Sequence, residues 1–214
     1  MQTCLDHLVI GATSLEAGVE YVKEVLGVDI PAGGHHEKMG TCNHLMQLGN
    51  DVFLEVIAID KTLAAPSRPR WYGLDDPFVV QKIKTRPALL TWVVNTPDIK
   101  DFQSNTMFSF GTFEQISRGQ LSWLFGIPDD GRLLAAGMVP YVIEWMTKPH
   151  PVKTMSDKGC RLKALHIHHP HADWLHKILS DVGAADFVEI HPLNGNEAPR
   201  LTAQIETPSG IVEL

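Results

Sequence analysis

The chain reads as an α+β protein built from repeated βαβββ modules, that is, strand, helix, then three strands. Two observations predict this. The same order of elements runs over residues 1–60 and again over residues 160–214, and each helix ends at a glycine, Gly27 or Gly183. A looser, divergent copy occupies residues 88–150. Residues 61–87, which contain Pro and Arg, form an ordered connecting segment within one compact unit.

The first module opens with Thr-Cys-Leu-Asp-His-Leu-Val-Ile at residues 3–10, an apolar run closed by Gly11, as in a buried strand. Thr13-Ser14-Leu15-Glu16 has the spacing of a capping box, which satisfies the free N–H groups that open a helix. Leu15, Val19, Val22 and Leu26 then recur at helical spacing. Two strands, 41–48 and 51–59, meet at the hairpin signal Gly49-Asn50. In the last module, residues 162–168 form the strand, Leu175, Ile178, Leu179 and Val182 the helix face, and 187–190 a short strand. Residues 201–206 and 211–214 follow as a pair turned by Pro208-Ser209-Gly210. Aligning the helix stops places His166 with His7 and Glu213 with Glu55, and the His-to-Glu intervals are 48 residues in the first module and 47 in the last. The middle copy has strands at 88–95, 112–117, 120–127 and 139–147, with a helix start at Thr96-Pro97-Asp98. Its Glu144 falls where Glu55 falls, and Thr91 stands in the place of His7.

Composition narrows the function. Of 214 residues, 44% are hydrophobic and 20% charged, an ordinary globular balance. A net charge of -7 argues against nucleic acid, since phosphate binding needs clustered cations. No apolar run approaches the roughly 20 residues of a membrane span. The N-terminus lacks the basic and apolar regions of a signal peptide. Three widely spaced cysteines, Cys4, Cys42 and Cys160, do not form a disulfide framework, so reduced thiols and a cytoplasmic location are expected. Cys4 and Cys42 read as small buried hydrophobes. Rossmann, P-loop and nucleophile-elbow spacings are absent.

Leu-Asp-His-Leu-Val-Ile, Met-Gly-Thr-Cys-Asn-His, Phe-Leu-Glu-Val-Ile-Ala-Ile-Asp, Arg-Pro-Arg-Trp-Tyr-Gly-Leu-Asp and Pro-Tyr-Val-Ile-Glu-Trp together resemble the glyoxalase-like domain proteins of the vicinal-oxygen-chelate superfamily. The resemblance covers nearly the whole chain. It implies that two modules pair so that their sheets close into a cupped mixed sheet with helices outside. First-strand and last-strand residues would then converge on one divalent metal. On this reading His7, Glu55 and Glu144 are the metal ligands and Glu144 is also the catalytic residue, as ligand or general base. Imidazole plus carboxylates suits Zn, Ni, Mn or Fe without selecting one. Thr91 removes the fourth ligand. The implied function is a glyoxalase- or dioxygenase-like enzyme acting on a small carbonyl or vicinal-oxygen substrate. The alternative is a metal-free protein that sequesters small molecules, as the bleomycin-resistance members do.

Each candidate has a plainer reading. His7 and Glu55 would satisfy each other as an ion pair without metal. Arg70 and Trp71 would lid the cup and hold an anionic or carbonyl-bearing substrate, or simply anchor a linker. Asn43, His44, Arg118 and Trp123 are further substrate-binding candidates. His35 and His36 are expected in a mobile loop. In His166-Ile167-His168-His169-Pro170-His171, alternation splits His166 and His168 from His169, so the run cannot serve one ion as a whole. Finally, the apolar residues Leu201, Ile205, Ile211 and Val212 suggest that the last module pairs with its copy in a homodimer, with His166 and Glu213 near the interface.

Overall fold

In the computed structural model, which describes residues 2–193 and 197–214, the apolar first run becomes β1 (Cys4–Gly11), whose last six residues are buried. Helix α1 (Leu15–Leu26) begins one residue later than a Thr13 cap would set it. Ser14 is the cap, its hydroxyl accepting from the Ala17 N–H at 3.3 Å, and Gly27 ends the helix in the left-handed region at φ 70°. Strands β2 (Ala32–His36), β3 (Thr41–Gln47) and β4 (Phe53–Ile59) complete the module. The segment expected to be a plain connection contains a helix, α2 (Pro77–Thr85), capped by Asp76 and started by Pro77. The second module follows as β5 (Ala88–Asn95), α3 (Ile99–Asn105), β6 (Thr112–Arg118), β7 (Leu121–Ile127) and β8 (Tyr141–Trp145).

These eight strands form one sheet in the order β2-β3-β4-β1-β5-β8-β7-β6. Each half pairs its first strand in parallel with its last, and the halves join through antiparallel β1 and β5. The sheet is strongly bent into a cup. Its edges approach each other where Arg118 of β6 reaches Asn43 of β3 and Lys38 reaches Gln115 on β6. Helix α1 lies outside, against β4, and the approach is close. A Cβ on Gly18 would stand 2.3 Å from a methyl of Val56.

The third segment has the expected elements but a different topology. Strands β9 (Arg161–His169), β10 (Glu189–Pro192), β11 (Arg200–Thr207) and β12 (Gly210–Glu213), with α4 (Ala172–Asp181), form a separate sheet ordered β10-β9-β11-β12. Here α4 crosses over to β10, which pairs in parallel with β9, whereas in the first two modules the last strand takes that place. Glu213 therefore sits on an edge strand opposite Gln204 and is not the counterpart of Glu55.

The apolar face of this second sheet is covered within the chain. Leu165, Ile167, Leu201, Ala203 and Ile205 join Leu8, Ile10, Trp92 and Val94 in one buried cluster, and β11 packs against β5. Leu201 and Ile205 are thus buried within the chain, while Ile211 on the edge strand is 66% exposed. Cys4 is exposed, contrary to expectation, while Cys42 and Cys160 are buried. No helix among the described residues is long and apolar enough to cross a membrane.

Candidate functional site

The cup encloses a cavity of about 40 Å³. Strand alternation decides which side chains reach it. Phe53 and Glu55 point in from β4, Asn43 and Leu45 from β3, Trp123 and Phe125 from β7, and Ile143 and Trp145 from β8. His36 enters from β2 and Arg118 from the end of β6. Trp71 and Tyr72 of the connecting segment, with Pro151 and Met155, complete the lining.

Asp6 and His7 are neighbours in sequence that would ordinarily face opposite ways. The pairing of β1 with β5 slips between Leu5 and His7, so Asp6 occupies a bulge, a device that re-aims side chains. Asp6 Oδ1 receives His7 Nδ1 at 2.6 Å. Its Oδ2 receives Asn95 Nδ2, Trp145 Nε1 and His150 Nε2, each at 2.9 Å. Burial alone would raise the Asp6 pKa, but the hydrogen bonds from His150 and His7 outweigh it and hold the carboxylate ionised, well below the usual range. His7 is fixed through Nδ1, stacks on Phe53 with ring centroids 4.4 Å apart, and presents Nε2 to Glu55 Oε2 across 3.6 Å.

Glu55 is held from its other side. Its Oε1 accepts from Asn43 Nδ2 at 2.6 Å, while Asn43 Oδ1 accepts from Arg118 Nη1 at 2.9 Å and the Gly34 N–H at 3.0 Å. Buried His36 bonds Thr41 through Nδ1 at 3.0 Å, and its Nε2 lies 3.3 Å from Arg118 Nη1. Burial, with the Arg118 charge second, lowers the His36 pKa to about 3, so the ring is neutral and Nε2 is the acceptor. Tyr72 is kept protonated by burial and then by the Glu55 carboxylate.

The structure therefore brings together His7, Glu55, Asn43, Trp71, Arg118 and Trp123 around one cavity, but not Glu144, His44 or Arg70. Glu144 lies between two inward-facing residues and points outward, where Oε2 accepts from the Ile99 N–H that opens α3 at 2.8 Å. Strand register gives the reason. Val9 pairs with Glu55, and Val93 pairs with Tyr141. The counterpart of Glu55 is thus Tyr141, three positions from Glu144 and on the other face. His44 turns away from the cavity and bonds the Ile30 carbonyl at 2.8 Å. Arg70 is bound to Asp75 at 2.6 Å and faces Gly40.

Sequence reasoning missed Asp6, His36, Tyr72 and His150. Two adjacent polar residues inside an apolar strand were a signal for Asp6, but a bulge leaves no trace in composition. His36 lies on a strand rather than in a mobile loop, because Gly33 and Gly34 let β2 run close beside Asn43 and Arg118.

The residues do not fit the chelate that the fold family implies. Among the described residues that line the cavity, the donors come from the first module, His7, Glu55 and His36, and His36 Nε2 already faces Arg118 Nη1 at 3.3 Å. Thr91 hydrogen-bonds the Gly137 carbonyl at 3.3 Å and Tyr141 the Arg132 carbonyl at 2.7 Å, while the Arg118 guanidinium occupies the same cavity. A catalytic zinc site ordinarily has three protein ligands. Among the described residues, the groups of three converging donors are elsewhere, at His35, Cys42 and Asp60 and at His166, Glu189 and His191.

Residues 5–183 match the family model described as a glyoxalase-like domain. The chain belongs to the glyoxalase-like domain family. The resemblance to the vicinal-oxygen-chelate superfamily seen in the sequence therefore holds. Among solved structures, a hypothetical protein from Staphylococcus aureus has a TM-score of 0.61 at 14% identity, covering 99% of this chain and 84% of that one. Methylmalonyl-CoA epimerase from Mycobacterium tuberculosis has a TM-score of 0.42 at 17% identity, covering 68% and 88%. Among curated proteins none matches the chain. The Staphylococcus likeness shows a shared fold, and fold alone does not fix chemistry. For this glyoxalase-like protein the function has to be read from the cavity.

Proposed function

We propose that this glyoxalase-like protein is an enzyme that moves a proton at a carbon beside a carbonyl in a small, oxygen-rich substrate. The observation that carries the reading is the buried line Asp6, His7, Glu55, with a base at each side of a 3.6 Å gap that opens into the cavity. Such a pair can take a proton and return it elsewhere on the same molecule. Glu55 or His7 Nε2 removes the proton from carbon. The C–H electron pair forms the new C=C bond, the carbonyl π pair moves onto oxygen, and Arg118 balances the charge that develops there. Returning the proton to a different face or atom gives an isomer. Expelling a group from the neighbouring carbon instead gives a lyase. Asp6 fixes the His7 tautomer and balances an imidazolium, which makes it a positioning residue.

The cavity's size supports a small substrate. About 40 Å³ is small beside the roughly 300–1,000 Å³ of common ligand pockets, so a two- or three-carbon keto or hydroxy compound is the fitting size. Aromatic walls at Phe53, Trp123 and Phe125 would lower the local dielectric and strengthen charge interactions inside.

A screen of 2-oxo acids, 2-hydroxy aldehydes and hydroxyketones for hydrogen exchange in D2O, followed by proton NMR, tests the proposal. Exchange is expected with wild type and should fall at least 100-fold in Glu55→Gln and His7→Gln. A second reading is favoured by the second module's wall, which is apolar at Phe125, Ile143 and Trp123. There the protein sequesters an apolar compound. Tight binding of such a compound, with no exchange in any of the carbonyl compounds, would select it.

A further inference from the structure

Three donors converge on the polar face of the second sheet, well away from the cup. Strands β9 and β10 pair in parallel with Glu189 beside His166 and His191 beside His168, which puts all four on one face. His166 Nδ1 lies 3.1 Å from His191 Nε2 and 3.4 Å from Glu189 Oε2. His191 Nε2 lies 3.7 Å from the same carboxylate oxygen.

We infer that His166, Glu189 and His191 form a binding site for a borderline divalent cation of the zinc type. Ligand atoms held at ~2.0–2.2 Å around a tetrahedral ion stand roughly 3.3–3.6 Å apart, and the three separations fall around that range. A shared proton explains only the His166–His191 contact, since the carboxylate stands outside good hydrogen-bond distance of both rings. A central cation explains all three. Two imidazole nitrogens with one carboxylate oxygen favour zinc, cobalt or nickel over calcium or magnesium, which prefer oxygen.

The neighbours support the arrangement. The His168 ring stacks on His191 with centroids 4.8 Å apart and an interplanar angle of 24°, which steadies that ligand. His166 is largely buried, whereas the Glu189 and His191 side chains are 65% and 42% exposed, so the ion's remaining positions would face solvent. Binding would also tie the four-residue edge strand β10 to β9. His169 and His171, on other faces or beyond the strand, take no part.

Equilibrium dialysis of chelator-stripped protein, purified without a histidine tag or nickel column, against Zn2+ and Co2+ tests the inference. One equivalent per chain is expected, with a tetrahedral cobalt absorption band. Affinity should fall at least tenfold in His191→Ala and in Glu189→Gln, both exposed positions where folding is not at risk, and stay unchanged in His35→Ala. The absence of saturable binding would overturn it. Affinity that is indifferent to His191→Ala, or that follows His35→Ala in the other three-donor group, would overturn it too.

Discussion

His36 shows how one buried side chain couples the site to pH. Its pKa is about 3 in the folded protein against about 6.5 in an unfolded chain. Between those values the unfolded state binds the extra proton, so stability rises with pH across that window and is lost as pH falls below about 6.5. The slope from this residue approaches about 1.4 kcal/mol per pH unit. Asp6 acts in a lower window, because its depressed pKa costs stability only as pH drops below about 4. Urea unfolding midpoints should therefore fall steeply in wild type as pH drops from 7 to 4.5, and more shallowly in His36→Gln. Equal slopes in the two proteins would show that His36 is not held neutral. Glu144 illustrates a different point. Its carboxylate serves the first N–H of α3, so Glu144→Gln should cost about 1 kcal/mol by denaturant titration.

At the scale of elements, α1 sits on β4 at Gly18, where no side chain fits above Val56. Gly18→Ala should destabilise by about 1–3 kcal/mol despite alanine's better helix propensity, and Val56→Ala in the same chain should recover part of that loss. Additive losses in the double variant would mean the helix is not seated there. The elements themselves were largely legible. Alternation, caps and glycine stops located β1, α1, β3, β4 and β5 to within a residue or two. The short β2 was hidden because Ala-Gly-Gly-His-His has no apolar pattern, and α2 because its Pro- and Arg-containing surroundings resemble a loop. Assigning Glu144 to the cavity failed through register. Aligning by residue type put it on Glu55, but a shift of three positions reverses the face on which a strand residue lies.

Across the whole molecule, two sheets share one buried cluster, so the third segment belongs to the same cooperative unit as the cup. Ile205, fully buried on β11, tests this. Ile205→Ala should cost about 2–5 kcal/mol, and tryptophan fluorescence and far-ultraviolet circular dichroism should still report one coincident transition. Two separated transitions would mean that the second sheet folds independently. Repetition of element order made the third segment look like another cup module, yet strand pairing is long-range and the crossover to β10 could not be read from local pattern.

The site depends on the same long-range register, which leaves acid and base groups on the first module and apolar walls on the second. The most direct measurement is carbonyl-substrate hydrogen exchange by chelator-stripped protein, comparing wild type with Glu55→Gln and Glu144→Gln. Exchange should persist without metal, survive Glu144→Gln, and fall at least 100-fold in Glu55→Gln. Exchange that vanishes on chelation and returns with added metal, or that depends on Glu144 rather than Glu55, would contradict a proton-transfer site built on Asp6, His7 and Glu55.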